Sequence, residues 1–313
     1  MTDPGERASA ATSEAHRRAF VLAVIVTVLW SSSWIMVRWA IDDHGMTPLL
    51  GAGLRYLLAC LILATVVAMT PTDRRQVRTV GRRDAAMLVA LGLLFITVTQ
   101  GAQVIAIASQ PAASTSLVLS FSPLVVAIVS QVSLGEPPTR AQVTGTAAIA
   151  VGALLYLSGD LSMTTVGMGA ALIALAANVG SAILGRAVNR SHRLSPRVVT
   201  TLSMVAGAVV LVLLGWALEG PPRLDPVGWL LVGWMALVNT ALAFTWWNES
   251  LRHLAATESA AINNLMLLQI AALAWLFLGE APDPIQWLGM ALVTVGVIRA
   301  RSRPRPRPLS SGG

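Results

Sequence analysis

Residues 111–152 read PAASTSLVLSFSPLVVAIVSQVSLGEPPTRAQVTGTAAIAVG, and the chain writes this stretch a second time 144 positions later. Gly135-Glu136 falls on Gly279-Glu280, Pro138 on Pro282, Gln142 on Gln286, Gly145 on Gly289 and Gly152 on Gly296. Each copy is an apolar helix, a Gly-Glu-x-Pro turn and a second apolar helix with small residues along one side, which makes a helical hairpin of membrane-crossing length. A glycine suits the end of the first helix and a proline the first turn of the next, while the glutamate brings an anion to the new N-terminus. Gly135, Glu136, Gly279 and Glu280 are thus read as the turns of two hairpins.

Outside the hairpins the composition agrees. Of the 313 residues 55% are hydrophobic and 12% charged, with a mean hydropathy of +0.69. The apolar residues fall into evenly spaced runs too long for a soluble core. Ten runs are read, at 19–41, 48–69, 85–108, 112–134, 141–157, 166–188, 196–218, 226–250, 255–278 and 285–298. The first is too long for a signal-peptide core and is read as retained. The expected fold is an all-α membrane protein with ten transmembrane helices, flanked by disordered tails at 1–18 and 300–313. The single cysteine, Cys60, lies inside an apolar run, so no disulfide framework or cysteine metal site is available. No cofactor or metal is expected.

The net charge of +7 comes from arginine alone, because the sequence has no lysine. Placement decides what that charge is for. If the N-terminus is cytoplasmic, nineteen arginines lie in inside segments and only Arg223 in an outside connection, with Arg38 and Arg55 inside runs. That is the positive-inside bias. It places both termini in the cytoplasm of a multi-pass protein of the cell membrane, and makes anionic lipid headgroups, not nucleic acid, the expected partner of the arginine-rich loops and tail. The sequence leaves the oligomeric state open.

A second offset, of 148, lays Ser33 on Ser181, Arg38 on Arg186, His44 on His192 and Pro48 on Pro196. The first half, 19–158, therefore echoes the second, 166–299. Five runs per half is odd, so the second copy must cross the membrane in the opposite sense, an inverted-topology repeat of the kind that supports alternating access.

These residues resemble the drug/metabolite transporter superfamily, specifically its ten-helix exporters built from two EamA-type domains. The likeness covers nearly the whole chain from Phe20 to Arg299. It is carried by the Trp30-x-Ser32-Ser33-Trp34 stretch with Arg38, by Arg55-Tyr56, by Ser114 to Pro123 followed by Leu134-Gly135-Glu136, and by Leu278-Gly279-Glu280 with Gln286, Gly289 and Gly296. The resemblance implies export of amino acids and related small metabolites, while other members move drugs or nucleotide- and sugar-type cargo. Ser31 stands where the family usually has glycine. Leu267 stands where it usually has the proline matched by Pro123, which implies a ninth run straighter than the fourth.

The polar residues inside the runs are the candidates for the substrate pathway: Trp30, Ser33, Trp34, Gln100, Gln103, Ser120, Asn178, Asn239, Trp246, Asn263 and Asn264. Amides at this depth must face protein or a wet cavity. The competing reading is that serines are interhelical glue and tryptophans belong to interfacial belts. Runs two, five, seven and ten are aliphatic and rich in small residues, and read as scaffold. Arg38 and Arg186 read as snorkelling charges or as gate or substrate-carboxylate contacts at opposite mouths. No residue set offers catalysis: the four histidines are scattered, and neither HExxH nor GxSxG occurs. An intramembrane enzyme is therefore a distant alternative to a small-molecule transporter.

Overall fold

The structure is a computed structural model that describes residues 4–110, 115, 118–156, 163–278 and 283–300. Among these residues every regular element is helical. Six helices are long and apolar enough to cross a membrane: Glu14–Asp43, Pro48–Met69, Arg82–Gln103, Thr165–Asn189, Pro196–Glu219 and Pro226–Ser250. With the shorter apolar helices Val118–Ser133 and Pro284–Ala300, they make an all-α membrane protein.

The remaining runs are shorter for identifiable reasons. The fifth and tenth form 17-residue helices, Arg140–Tyr156 and Pro284–Ala300, which rise about 26 Å, a little under a typical hydrocarbon thickness. The fourth and ninth are interrupted. The fourth turns at Phe121 ahead of the helix Ser122–Ser133, as Pro123 foretells. The ninth corrects the expectation of a run straighter than the fourth. It breaks at Asn264, between Ala256–Asn263 and Leu265–Leu278, with no proline present. There the backbone N–H of Asn264 donates to the Ala261 carbonyl at 3.1 Å, a tight three-residue turn in place of the four-residue helical bond.

The N-terminal end also differs from the reading. A helix runs from Pro4 to Asp43, so residues 4–18 extend the first run where their polarity suggested a disordered tail. Alanine and glutamate are strong helix formers, and a proline fits the first turn. The C-terminal tail, 301–313, lies outside the described residues.

Two antiparallel helix pairs hold the bundle. The fifth run packs on the tenth, and a Cβ at Gly145 would stand 2.6 Å from the Gly296 carbonyl while one at Gly152 would stand 2.7 Å from that of Gly289. Because the earlier glycine of each copy meets the later glycine of the other, the two copies run in opposite directions. The second run packs on the seventh in the same sense: a Cβ at Gly53 would meet Val212, and one at Gly215 would meet Leu50. At the end of that pair the Glu219 carboxylate accepts the backbone N–H groups of Leu49 and Leu50 at 2.9 and 2.8 Å. This places an anion on the helix N-terminus that Pro48 begins.

The duplicated turn has a duplicated cap. Thr139 N–H donates to Gln142 Oε1 at 2.9 Å and Gln142 N–H to Thr139 Oγ1 at 3.1 Å. In the second copy Asp283 and Gln286 exchange the same pair of bonds at 2.9 and 2.8 Å. These are capping boxes. Pro138 consequently stands just before the cap residue Thr139, not in the first helical turn. Gly135, with φ of 64°, ends the preceding helix. Gly279, Glu280 and Pro282 lie outside the described residues.

A further duplicated feature has no counterpart in the reading. The third run passes through a π-helical segment, Leu93–Thr99, between Arg82–Gly92 and Gln100–Ser109, and the eighth through another, Leu237–Leu242, between Pro226–Ala236 and Ala243–Ser250. In each a threonine hydroxyl donates to the carbonyl five residues back, Thr99 to Leu94 at 2.7 Å and Thr240 to Met235 at 2.8 Å.

Opposite the arginine-rich end, Asp225 caps the eighth run, accepting Gly228 N–H at 2.7 Å, and meets His44 at 2.9 Å. The Gly228 bond first, and His44 second, hold its carboxyl below the ordinary carboxylate range. A lowered folded-state pKa means that this anchor stands above the ordinary carboxylate range and is lost as the pH falls through the lowered value. Thermal melts in detergent should show a loss of stability on acidification below about pH 4 that is smaller in Asp225→Asn; identical acid profiles would show that the cap contributes nothing.

Candidate functional site

The amides of the interior tie helices of different runs together. In the eighth run, fully buried Asn239 donates from Nδ2 to Ser32 Oγ at 3.0 Å and to the Leu29 carbonyl, both on the first run. In the ninth, Gln269 accepts from Ser31 Oγ at 2.9 Å and donates to Thr27 Oγ1 at 3.0 Å, again on the first run. Asn178 of the sixth run donates to Ser122 Oγ at 3.1 Å.

The broken fourth run is repaired by side chains. Pro123 has no N–H to offer the Leu119 carbonyl, and Ser122 Oγ donates to it instead at 2.6 Å. The Leu124 N–H turns to Phe121 O at 3.0 Å, which leaves the Ser120 carbonyl to be met by Asn264 Nδ2 at 2.9 Å. The two breaks therefore face each other, and the amide at one serves the carbonyl exposed at the other. Asn264 is 8% exposed and acts as a tie between helices; Asn263 beside it is half-buried, and its side chain makes no hydrogen bond among the described residues. Replacing Asn264 with leucine should cost about 1–3 kcal/mol, because a buried carbonyl loses its donor. A chemical or thermal melt unchanged in Asn264→Leu would contradict that role.

The other sequence candidates divide. Ser33 is buried and its hydroxyl returns to the Trp30 carbonyl at 2.7 Å, so it serves its own helix. Gln100, Gln103 and Trp246 are half-buried. The side chains of Trp34 and Arg38 lie outside the described residues. Trp30 is the centre of an aromatic cluster, 5.1 Å from Phe244 and from Trp247 and 6.4 Å from Phe95 between ring centroids, with Tyr56 5.9 Å from Phe244. Phe95 and Phe244 were not singled out from sequence, and Tyr56 only as a mark of the family resemblance, because an aromatic within an apolar run looks like any other core residue until the helices are packed.

Among the described residues two buried polar atoms here have no partner: Trp30 Nε1 and Asn239 Oδ1. Arg55 of the second run, 9% exposed, donates from Nε to Thr240 Oγ1, the chain neighbour of Asn239, at 2.7 Å, and its guanidinium carbon lies 5.1 Å from the Tyr56 ring centroid. From sequence Arg55 stood near one end of its run. Its side chain reaches instead to Thr240, near the middle of the eighth.

The arginine-rich end is closed by side chains of several runs. Arg186, at the end of the sixth, places Nε 3.0 Å from Glu136 Oε1 and donates from Nη1 to the Leu251 and Arg252 carbonyls at 2.7 and 3.1 Å. Arg190 donates to the Leu134 carbonyl at 2.8 Å, and Arg252 pairs with Glu249 at 3.2 Å. Glu136 thus binds an arginine of another run and does not serve as the anion of the helix that follows it. His16 Nε2 lies 3.1 Å from Glu258 Oε1, tying the first run to the start of the ninth. Among the described residues no group of histidine, cysteine or carboxylate side chains is arranged to hold a metal ion.

The sequence pattern of the EamA-like transporter family matches residues 17–158 and, a second time, residues 166–300. The chain is 23% identical to the "Uncharacterized transporter YyaM" of Bacillus subtilis, over 91% of this chain and 94% of that protein. It is 28% identical to the "Probable terminal-alkyne amino-acid exporter" of Streptantibioticus cattleyicolor over 89% and 92% respectively. With the "Probable amino-acid metabolite efflux pump" of Salmonella typhimurium it shares 25% identity over 90% and 94%. A solved crystal structure superposes with a TM-score of 0.75 at 18% identity, covering 90% of this chain and 96% of that one, a likeness of fold.

Proposed function

Since the chain belongs to the EamA-like transporter family, and is a membrane transporter and not an enzyme, we propose that it exports amino acids or related small metabolites across the cell membrane by alternating access. The two units are the inverted five-helix repeats 19–158 and 166–299, ten transmembrane helices in all, with both termini cytoplasmic. The observation that supports this most is a polar interior, where Trp30 Nε1 and Asn239 Oδ1 remain without partners among the described residues, lying between helices whose arginine-rich end is shut by the Arg186–Glu136 pair. Side-chain ties between different helices can be broken and remade without unfolding either helix, as a gate requires. The relatives named for amino-acid and metabolite export favour that cargo class.

In this reading Asn263, half-buried and free of the tie that Asn264 makes, lines the pathway with Gln100, Gln103 and Trp246. Arg38, the repeat mate of Arg186, is the gate charge of the other mouth. Asn263→Leu is expected to lower flux while leaving the melt unchanged, the reverse of Asn264→Leu. The experiment that tests the function is amino-acid release from cells producing the protein, followed by counterflow in proteoliposomes. Saturable movement of amino acids supports the proposal, whereas movement of a sugar phosphate with none of any amino acid would sink it. Reporter fusions after Gly313 and between Arg74 and Arg83 should both report cytoplasm; a signal from the far side at either site would break the ten-helix topology. The aromatic cluster around Trp30 favours one second reading, a transporter of flat organic cations held by cation–π contact.

A further inference from the structure

Among the described residues, Arg55 is an interior charge with no carboxylate beside it. Its Cα lies two turns into the second run, about 10 Å along the helix from Pro48, and its side chain extends toward the middle of the eighth. Three arginines at the end of the bundle each have a carboxylate: Arg186 has Glu136, Arg197 has Asp73 and Arg252 has Glu249. Among the described residues Arg55 has none. Its Nε is satisfied by Thr240, whose own hydroxyl proton goes to the Met235 carbonyl and whose lone pair is therefore turned to the arginine. Among the described residues neither Nη nitrogen has an acceptor, and neither is sealed from accessible space. A guanidinium held inside the bundle with four of its five donors unused is among the least favourable placements in a membrane protein, and marks a functional site by default.

Its surroundings say what would fill it. The Tyr56 ring lies 5.1 Å from its guanidinium carbon, and Asn239, the chain neighbour of Thr240, keeps Oδ1 without a donor among the described residues while Nδ2 is committed to the first run. A planar fork of donors, a lone acceptor and an aromatic surface are the complements of a carboxylate, an ammonium group and an apolar side chain. We propose that the Nη pair of Arg55 binds the carboxylate of the cargo, so that the transported class is small carboxylic acids bearing an apolar part, and cations without an acid group are excluded. The assignment rests on the transporter reading above and moves the carboxylate contact from Arg38 and Arg186 to Arg55; Arg186 is spent on Glu136 and two carbonyls.

The test uses the full chain in proteoliposomes with four solutes, L-leucine, L-phenylalanine and their carboxamides, together with quenching of tryptophan emission in detergent. The wild type should move the two acids at least about tenfold faster than the amides, and only the acids should quench saturably. Arg55→Gln should slow the acids about ten- to a hundredfold, the worth of a hydrogen bond to a charged group, and Arg55→Lys should recover part of the loss. The wild-type comparison stands even if the glutamine variant does not fold. Equal handling of acids and amides by the wild type, or acid flux at the parental rate in Arg55→Gln, overturns the assignment and leaves the transporter reading intact. Absence of protein-dependent flux of any solute brings down both.

Discussion

Gly92→Val is expected to abolish accumulation of folded protein in the membrane. At this position the third run touches the seventh backbone to backbone: a Cβ would fall inside contact distance of the Ser203 carbonyl oxygen, and one on Gly207 would strike the Gly92 carbonyl. Thr97 Oγ1 donates to the Gly207 carbonyl at 3.0 Å, which fixes the register of the same contact. A clash with a flexible side chain relaxes at a cost of about 1–3 kcal/mol. Here both partners are backbone in helices that are themselves packed, so separating them opens the whole contact, and the cost should exceed about 4 kcal/mol. Gly92→Ala should be milder yet still impaired. Size-exclusion profiles of fluorescently tagged protein extracted in detergent provide the measurement, and a monodisperse Gly92→Val peak at parental height would refute the account.

The second large effect concerns the closed end. Arg186 makes a carboxylate pair and two carbonyl bonds that join the ends of the fourth, sixth and eighth runs. Its side chain is 15% exposed and that of Glu136 23%, so the pair is partly screened. A charged tie of this kind is worth about 1.5–3 kcal/mol, a population shift of roughly ten- to a hundredfold. Arg186→Gln should shift the transporter toward the conformation open at this end and lower net flux at least tenfold. The direct readout is a cysteine at Ser259, 1% exposed in the closed form, probed with a membrane-impermeant maleimide after the native Cys60 has been replaced by alanine. Labelling should accelerate in Arg186→Gln. The exchange Arg186→Glu with Glu136→Arg should recover only part, because the reversed pair lacks the donors for the Leu251 and Arg252 carbonyls. Unchanged labelling together with parental flux would show that these side chains do not gate.

The residues themselves explain which parts of the molecule could be read in advance. Hairpin turns are local: Gly135 and the Thr139–Gln142 cap need only their own neighbours, and the matching glycines of the fifth and tenth runs already marked a close contact. Proline announces the break in the fourth run for the same reason, since the missing N–H belongs to Pro123 alone. The break at Asn264 is different in kind. Nothing in its own helix requires it, and its side-chain bond is to a carbonyl that only the packing of the fourth run brings within reach. Glu136 carries the same lesson, because a glutamate after a glycine is a plausible cap until an arginine fifty positions on comes within 3.0 Å. Arg55 was visible as a charge in an apolar run, but the depth of its guanidinium depends on where a long side chain points, which sequence position does not record. The function class was the more legible part, carried by a repeat pattern that survives changes in individual residues.

The two π-helical segments begin at Leu93 and Leu237, a separation equal to the offset between the duplicated hairpins. A π turn is usually the scar of one inserted residue within an α-helix. Two such insertions at matching places are more simply one insertion, made before the halves were joined. The bulge on this account belongs to the repeated unit itself and is as old as the duplicated hairpin.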